Sequence, residues 1–153
     1  MSVKAELKSA LTVAMKARDQ VALSALRQAL SAIAVAETAG AEVVELSDDA
    51  VLAVLAVEVR KHNEAADAFE VAGRPETVAS ERGEAAVLEH YLPAAMTEAE
   101  LAQAVAHEVA AAAADGATGM RAMGRVVSAV RAKAGTTADG AKIAALVKAA
   151  LAD

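Results

Sequence analysis

The residues able to do chemistry are few and widely spaced. The 153-residue chain has three histidines, one tyrosine, no tryptophan and no cysteine. The missing thiol removes disulfide scaffolds, thiolate zinc sites, iron–sulfur clusters and cysteine nucleophiles together. Glu58 and His62 stand one helical turn apart and could share an ion, but that spacing more often gives an exposed pair, which is the expectation here. His90 and His107 fall on different expected helices, and Glu76, Glu81, Glu84 and Glu89 read as a solvated helix face. There is no phosphate-binding G-x-x-x-x-G-K-[ST] loop and no nucleophile elbow. No catalytic residue, metal site or cofactor is expected.

The sharper signal is basic. Residues 1–115 carry nine Lys and Arg against nineteen Asp and Glu, whereas residues 116–153 carry six against two. A basic end on an acidic body points to an anionic partner. At about 100° per residue, Arg121 and Arg125 project opposite the apolar stripe of Met123, Val126, Val127 and Val130. Met120 and Met123 continue that stripe into the core. Arg121 follows Gly116-Ala117-Thr118-Gly119 in what reads as the first turn of a sixth helix, and Lys142 follows Asp139-Gly140 in the first turn of a seventh. A cation there opposes the helix dipole by about 0.3–1 kcal/mol unless an anion shares the site. Helix starts of this kind suit phosphate. The expected RNA-binding set is Arg121, Arg125, Arg131, Lys133 and Lys142, with backbone contacts at Gly119 and Gly140, although Asp139 can neutralise the Lys142 end without a ligand. The tail has no Phe, Tyr or Trp for bases to stack on, so recognition would be of folded shape and backbone. The competing expectation is a protein adaptor that docks through its acidic N-terminal helices.

These residues need helices to position them. Apolar residues make 56% of the chain and aromatics only 1%, and 45 residues are alanine, a composition for helices packed closely through small side chains. Val3, Leu7, Leu11 and Met15 stripe a first helix capped by Ser2 and ending near Ala17. Asp19 starts a second, carrying Leu23, Leu26, Leu30 and Ile33 and stopping at Gly40. Ser47 caps a third, with Val51, Leu52, Leu55 and Val59 inward, Phe69 further along and Gly73 at its end. Pro75 opens a fourth that runs toward Tyr91 and Leu92. Pro93 breaks the pattern and marks a boundary. Thr97 and Glu100 form a capping box for a fifth helix, Gly135 closes the sixth, and Ile143, Leu146, Val147 and Leu151 mark the seventh. The expected fold is all-α: a four-helix N-terminal domain over residues 1–92 and a three-helix tail domain over residues 93–153. No window reaches the roughly eighteen uninterrupted apolar residues of a membrane span, and the run Val109 to Ala114 ends at Asp115. Charges at Lys4 and Glu6 break the stretch a secretion signal would need, so a soluble cytoplasmic protein without membrane association is expected.

Four strings give a family resemblance. They are Leu23-Ser24-Ala25-Leu26-Arg27 with Ser31-Ala32-Ile33; Phe69-Glu70-Val71-Ala72-Gly73-Arg74; Glu84 leading into Val87-Leu88-Glu89-His90-Tyr91-Leu92-Pro93; and Met123-Gly124-Arg125-Val126-Val127 with Ala138-Asp139-Gly140. In this order and spacing they resemble the GatB/YqeY family, whose free-standing YqeY-like members are similar to the C-terminal region of the B subunit of the tRNA-dependent amidotransferase. The resemblance implies a larger helical domain followed by a small three-helix tail. It also implies a tail that helps hold tRNA, and partners among amidotransferase or translation components. The catalytic parts of that carbon–nitrogen ligase, which takes glutamine as amido donor, lie outside the region resembled, so any such label would be inherited. The chain departs from the family pattern at His62, where arginine is usual, at Gly119, where serine often caps, and at Thr137, where a basic residue is usual.

Overall fold

The computed structural model describes residues 1–135 and 138–152, and all regular structure in them is helical. Among the described residues seven α-helices follow one another: α1 (Val3–Ala17), α2 (Gln20–Glu37), α3 (Asp48–Val71), α4 (Pro75–Glu89), α5 (Glu98–Ala114), α6 (Met123–Ala134) and α7 (Gly140–Ala152). A short 3-10 turn, Gly119–Ala122, precedes α6. The chain gathers into two compact units, Met1–Leu92 and Pro93–Asp153. No helix among the described residues is long and apolar enough to cross a membrane.

Polar side chains start the helices as their types dictate. Ser2, Asp19 and Ser47 accept from the backbone N–H groups of Ala5, Ala22 and Ala50. Thr97 and Glu100 cap α5 reciprocally, at 3.1 and 2.8 Å. Helix α2 ends at Glu37 rather than at Gly40, and Glu37 is buried there. Its carboxylate takes both hydrogen bonds of Lys4 at 2.6 and 2.7 Å and the Leu46 N–H at 3.3 Å, while its carbonyl accepts from the Val44 N–H. This pins the 38–47 loop against the end of α2.

The first core is aliphatic, built on fully buried Leu7, Leu26, Ile33, Val51, Leu55 and Leu88. Helix α4 packs along α3 and against α2. Gly83 permits that second approach, since a Cβ there would lie 3.1 Å from Val21 Cγ1. The stripe on α1 drifts: Met15 is 54% exposed and Ala14 is buried in its place. A four-residue spacing advances about 40° per step around a helix, so Leu7 and Ala14, seven apart, stay in line where Met15 does not. The second core joins Val105, Ala122, Val126, Val130, Ile143 and Val147. Met120 is exposed and only partly buried Met123 reaches this core, because the 3-10 turn shifts the helical phase and brings Ala122 inward. Phe69 and Tyr91 are half-buried.

Candidate functional site

The C-terminal unit distributes its cations by helix. Helix α6 begins at Met123, so Arg121 stands in the 3-10 turn before it and Arg125 in its first turn, a correction to the reading that put Arg121 inside the helix. Both are exposed, whereas Val126 and Val130 of α6 are buried. Arg131 and Lys133 lie about 160° apart around α6 and leave by opposite flanks. On one flank Lys133 pairs with Glu108 of α5 at 2.7 Å. On the other, the Arg131 guanidinium lies against Gly140, where a Cβ would fall 2.5 Å from Nη2. Lys142 of α7 pairs with Glu98 at 2.7 Å, and Arg125 pairs with Asp115 at the end of α5. Lys142 holds the Glu98 carboxyl below its usual value, and Lys133 does the same for Glu108 against an opposing effect of burial.

The basic excess is therefore local. Counted from Pro93, the C-terminal unit has six Lys and Arg and six Asp and Glu. Glu98, Glu108 and Asp115 on or at the end of α5 pair with Lys142, Lys133 and Arg125 of α7 and α6. At the start of α7 the Ala141 N–H donates to Asp139 Oδ1 at 2.9 Å, so the helix end carries an anion from its own chain. Gly119 has φ +59°, a conformation suited to glycine, and opens the 3-10 turn. Thr137 lies outside the described residues.

The N-terminal unit holds a polar cluster that the sequence reading placed in solvent. Glu58, His62 and Glu84 are buried. Glu58 pairs with Lys61 at 2.7 Å and not with His62. His62 Nδ1 sits 2.7 Å from Glu81 Oε2; against a carboxylate it is the donor. His62 Nε2 has no hydrogen-bond partner and lies 3.7 Å from Glu84 Oε2. That same oxygen accepts from Ser24 Oγ at 3.0 Å and Gln28 Nε2 at 2.8 Å, so Glu84 ties α4 to α2 beside its contact with α3. Among the described residues no three His, Cys, Asp or Glu side chains are placed to hold a metal ion.

A family model described as Yqey-like protein matches residues 4–151, nearly the whole chain. The chain belongs to this family. No curated protein matches it. Within this YqeY-like chain, two of the strings that suggested the family contain residues of the buried cluster: Ser24 lies in the α2 string and Glu84 opens the string that leads to Pro93. The signal that could have found the cluster was the pattern of α4 itself. Glu81, Glu84 and Leu88 fall at spacings of three and four, so a carboxylate lies on the same face as the core leucine.

Proposed function

We propose that this YqeY-like protein is a non-catalytic accessory that holds tRNA, related in role to the B-subunit tail of the tRNA-dependent amidotransferase. RNA is engaged by its backbone through the C-terminal unit. Arg121 and Arg125 form the centre of the contact, Arg131, Lys133 and Lys142 extend it, and the backbone at Gly119 and Gly140 approaches phosphate. The observation that carries this reading is that Arg121 and Arg125, four residues apart where the 3-10 turn runs into α6, are both exposed. Arg125, Lys133 and Lys142 are in ion pairs whose cationic side chains remain 49%, 46% and 47% accessible, and such pairs exchange readily. A contact of two to four phosphates gives weak binding that falls steeply with salt.

The test is a titration of bulk tRNA at low and moderate salt, with an Arg121→Glu/Arg125→Glu variant alongside. Salt-sensitive binding that the variant loses for all tRNAs alike is the expected result. Equal affinity in the variant removes the proposed surface, and no binding at low salt removes the function.

A further inference from the structure

Glu81 and Glu84 stand one turn apart on α4, and both carboxylates reach His62 of α3. Among the described residues neither is ion-paired with a lysine or arginine. Lys61 of α3 is engaged by Glu58, Arg82 of α4 is engaged by Asp67, and Arg27 of α2 and Arg60 of α3 are exposed. Helix α2 contributes neutral groups to the cluster, Ser24 Oγ and Gln28 Nε2, both donating to Glu84. With a neutral imidazole the cluster therefore holds two carboxylates, one of them buried, and no cation. A buried carboxylate without a positive partner is costly.

The imidazole shows the same deficit from its own side. Only 7% of the His62 side chain is accessible, Nδ1 is spent on Glu81 at 2.7 Å, and Nε2 has no hydrogen-bond partner. When Nδ1 carries the one proton of a neutral ring, Nε2 turns a lone pair toward Glu84 Oε2, 3.7 Å away. Two electron-rich atoms then face each other where water does not reach. A proton taken from solvent onto the Nε2 lone pair makes the same contact a donor facing an acceptor. Side-chain movement of about 0.5 Å brings it within hydrogen-bond reach. Glu84 has room for it, since a carboxylate accepts about four hydrogen bonds and this one receives two.

We propose that this cluster is a proton-binding site, in which His62, protonated at Nε2, bridges Glu81 and Glu84 as an imidazolium and clamps α4 onto α3. The inference concerns the Met1–Leu92 unit and is independent of RNA. The bridge exists only in the folded chain, so folding favours uptake of the proton. Its contribution is complete below about 6.5, the ordinary imidazole value, and is lost as pH rises above it.

The test follows the full chain across that window in two ways. Nitrogen-15 spectra of the imidazoles should show neutral His62 protonated at Nδ1 at high pH, with a second proton arriving at Nε2 as pH falls. Urea titrations read by circular dichroism should show the folding constant of the Met1–Leu92 unit rising by up to about tenfold per pH unit lowered. His62→Gln should lose this rise, which separates it from anything His90 and His107 contribute. Glu84→Gln removes the charge and leaves an amide oxygen for Ser24 and Gln28, so it should fold and show most of the rise gone. Parallel pH profiles for the wild type and His62→Gln overturn the proposal. A neutral ring protonated at Nε2 instead of Nδ1 overturns it as well, because Glu84 would then have its donor without any added proton. A rise that persists in Glu84→Gln overturns the bridge and leaves Glu81 alone with the imidazolium.

Discussion

Replacing Glu84 with alanine separates the buried cluster from a solvated helix face. Glu84 Oε2 accepts hydrogen bonds from Ser24 Oγ and Gln28 Nε2, and hydrogen bonds to a charged group contribute about 1.5–3 kcal/mol each. Gln28 is exposed and Ser24 half-buried, so both recover water when the carboxylate is removed, which brings the loss below that sum. The expected loss is about 2–3 kcal/mol, or a urea midpoint lowered by about 1–2 M. Glu76 on the same helix is exposed, and Glu76→Ala should cost within about 0.5 kcal/mol. Far-ultraviolet circular dichroism is the right probe, because the chain is helical and has no tryptophan. The loss must fall in the transition of the Met1–Leu92 unit, since two compact units can unfold separately. Ser24→Ala combined with Glu84→Ala should cost clearly less than the sum of the two single changes. A Glu84→Ala cost no greater than that of Glu76→Ala would show that the carboxylate does not tie α2 to α4.

The transition belonging to the N-terminal unit is marked by Leu88→Ala, which empties a fully buried site and should cost about 2–5 kcal/mol, whereas Val71→Ala at a 92% exposed position should be nearly silent; equal effects in a denaturant titration would contradict the assigned core. Glu37 supplies a pH signature: the Lys4 ammonium holds its carboxyl below the ordinary value of 4.5 against desolvation, so its contribution is complete above that value and is lost as pH falls through the lower folded one. Lys4→Met should flatten this acid limb, and superimposable stability profiles for the two proteins would refute it.

The helices were legible because their ends are written in single residues. Ser2, Asp19, Ser47, Thr97 with Glu100, and Pro75 each name a helix start, and the structure places all of them at or next to one. Ends set by tertiary contact were not legible. Where α2 stops, the Glu37 carbonyl accepts from the Val44 N–H and its carboxylate from a lysine 33 residues earlier, and no local pattern contains that. The same cause hid the polar cluster, since His62 and Glu81 meet only when α3 and α4 pack, while Glu58 and His62, neighbours in sequence, take different partners. Among the candidate RNA-binding residues, the exposure of Arg121 and Arg125 followed from the apolar spacing around them. The pairing of Arg125, Lys133 and Lys142 with α5 did not, because it depends on how three helices stand around one another.

That pairing gives the RNA reading a second, stricter test. A phosphate binding Lys133 or Lys142 must displace Glu108 or Glu98, each of which then takes up a counterion as the phosphate releases one. Exchange of this kind costs little, since an exposed pair contributes about 0–1 kcal/mol, but it flattens the salt dependence. Arg121, with no carboxylate partner among the described residues, contributes its full share. The wild-type slope of log affinity against log salt should therefore be shallower than five cations would produce. Glu98→Gln/Glu108→Gln removes the internal competitors of Lys142 and Lys133 and should both raise tRNA affinity and steepen that slope. Tighter binding with an unchanged slope would mean only that a more positive protein attracts RNA better. Neither change would mean that Lys133 and Lys142 never leave α5, and the RNA contact would shrink to Arg121 and Arg125.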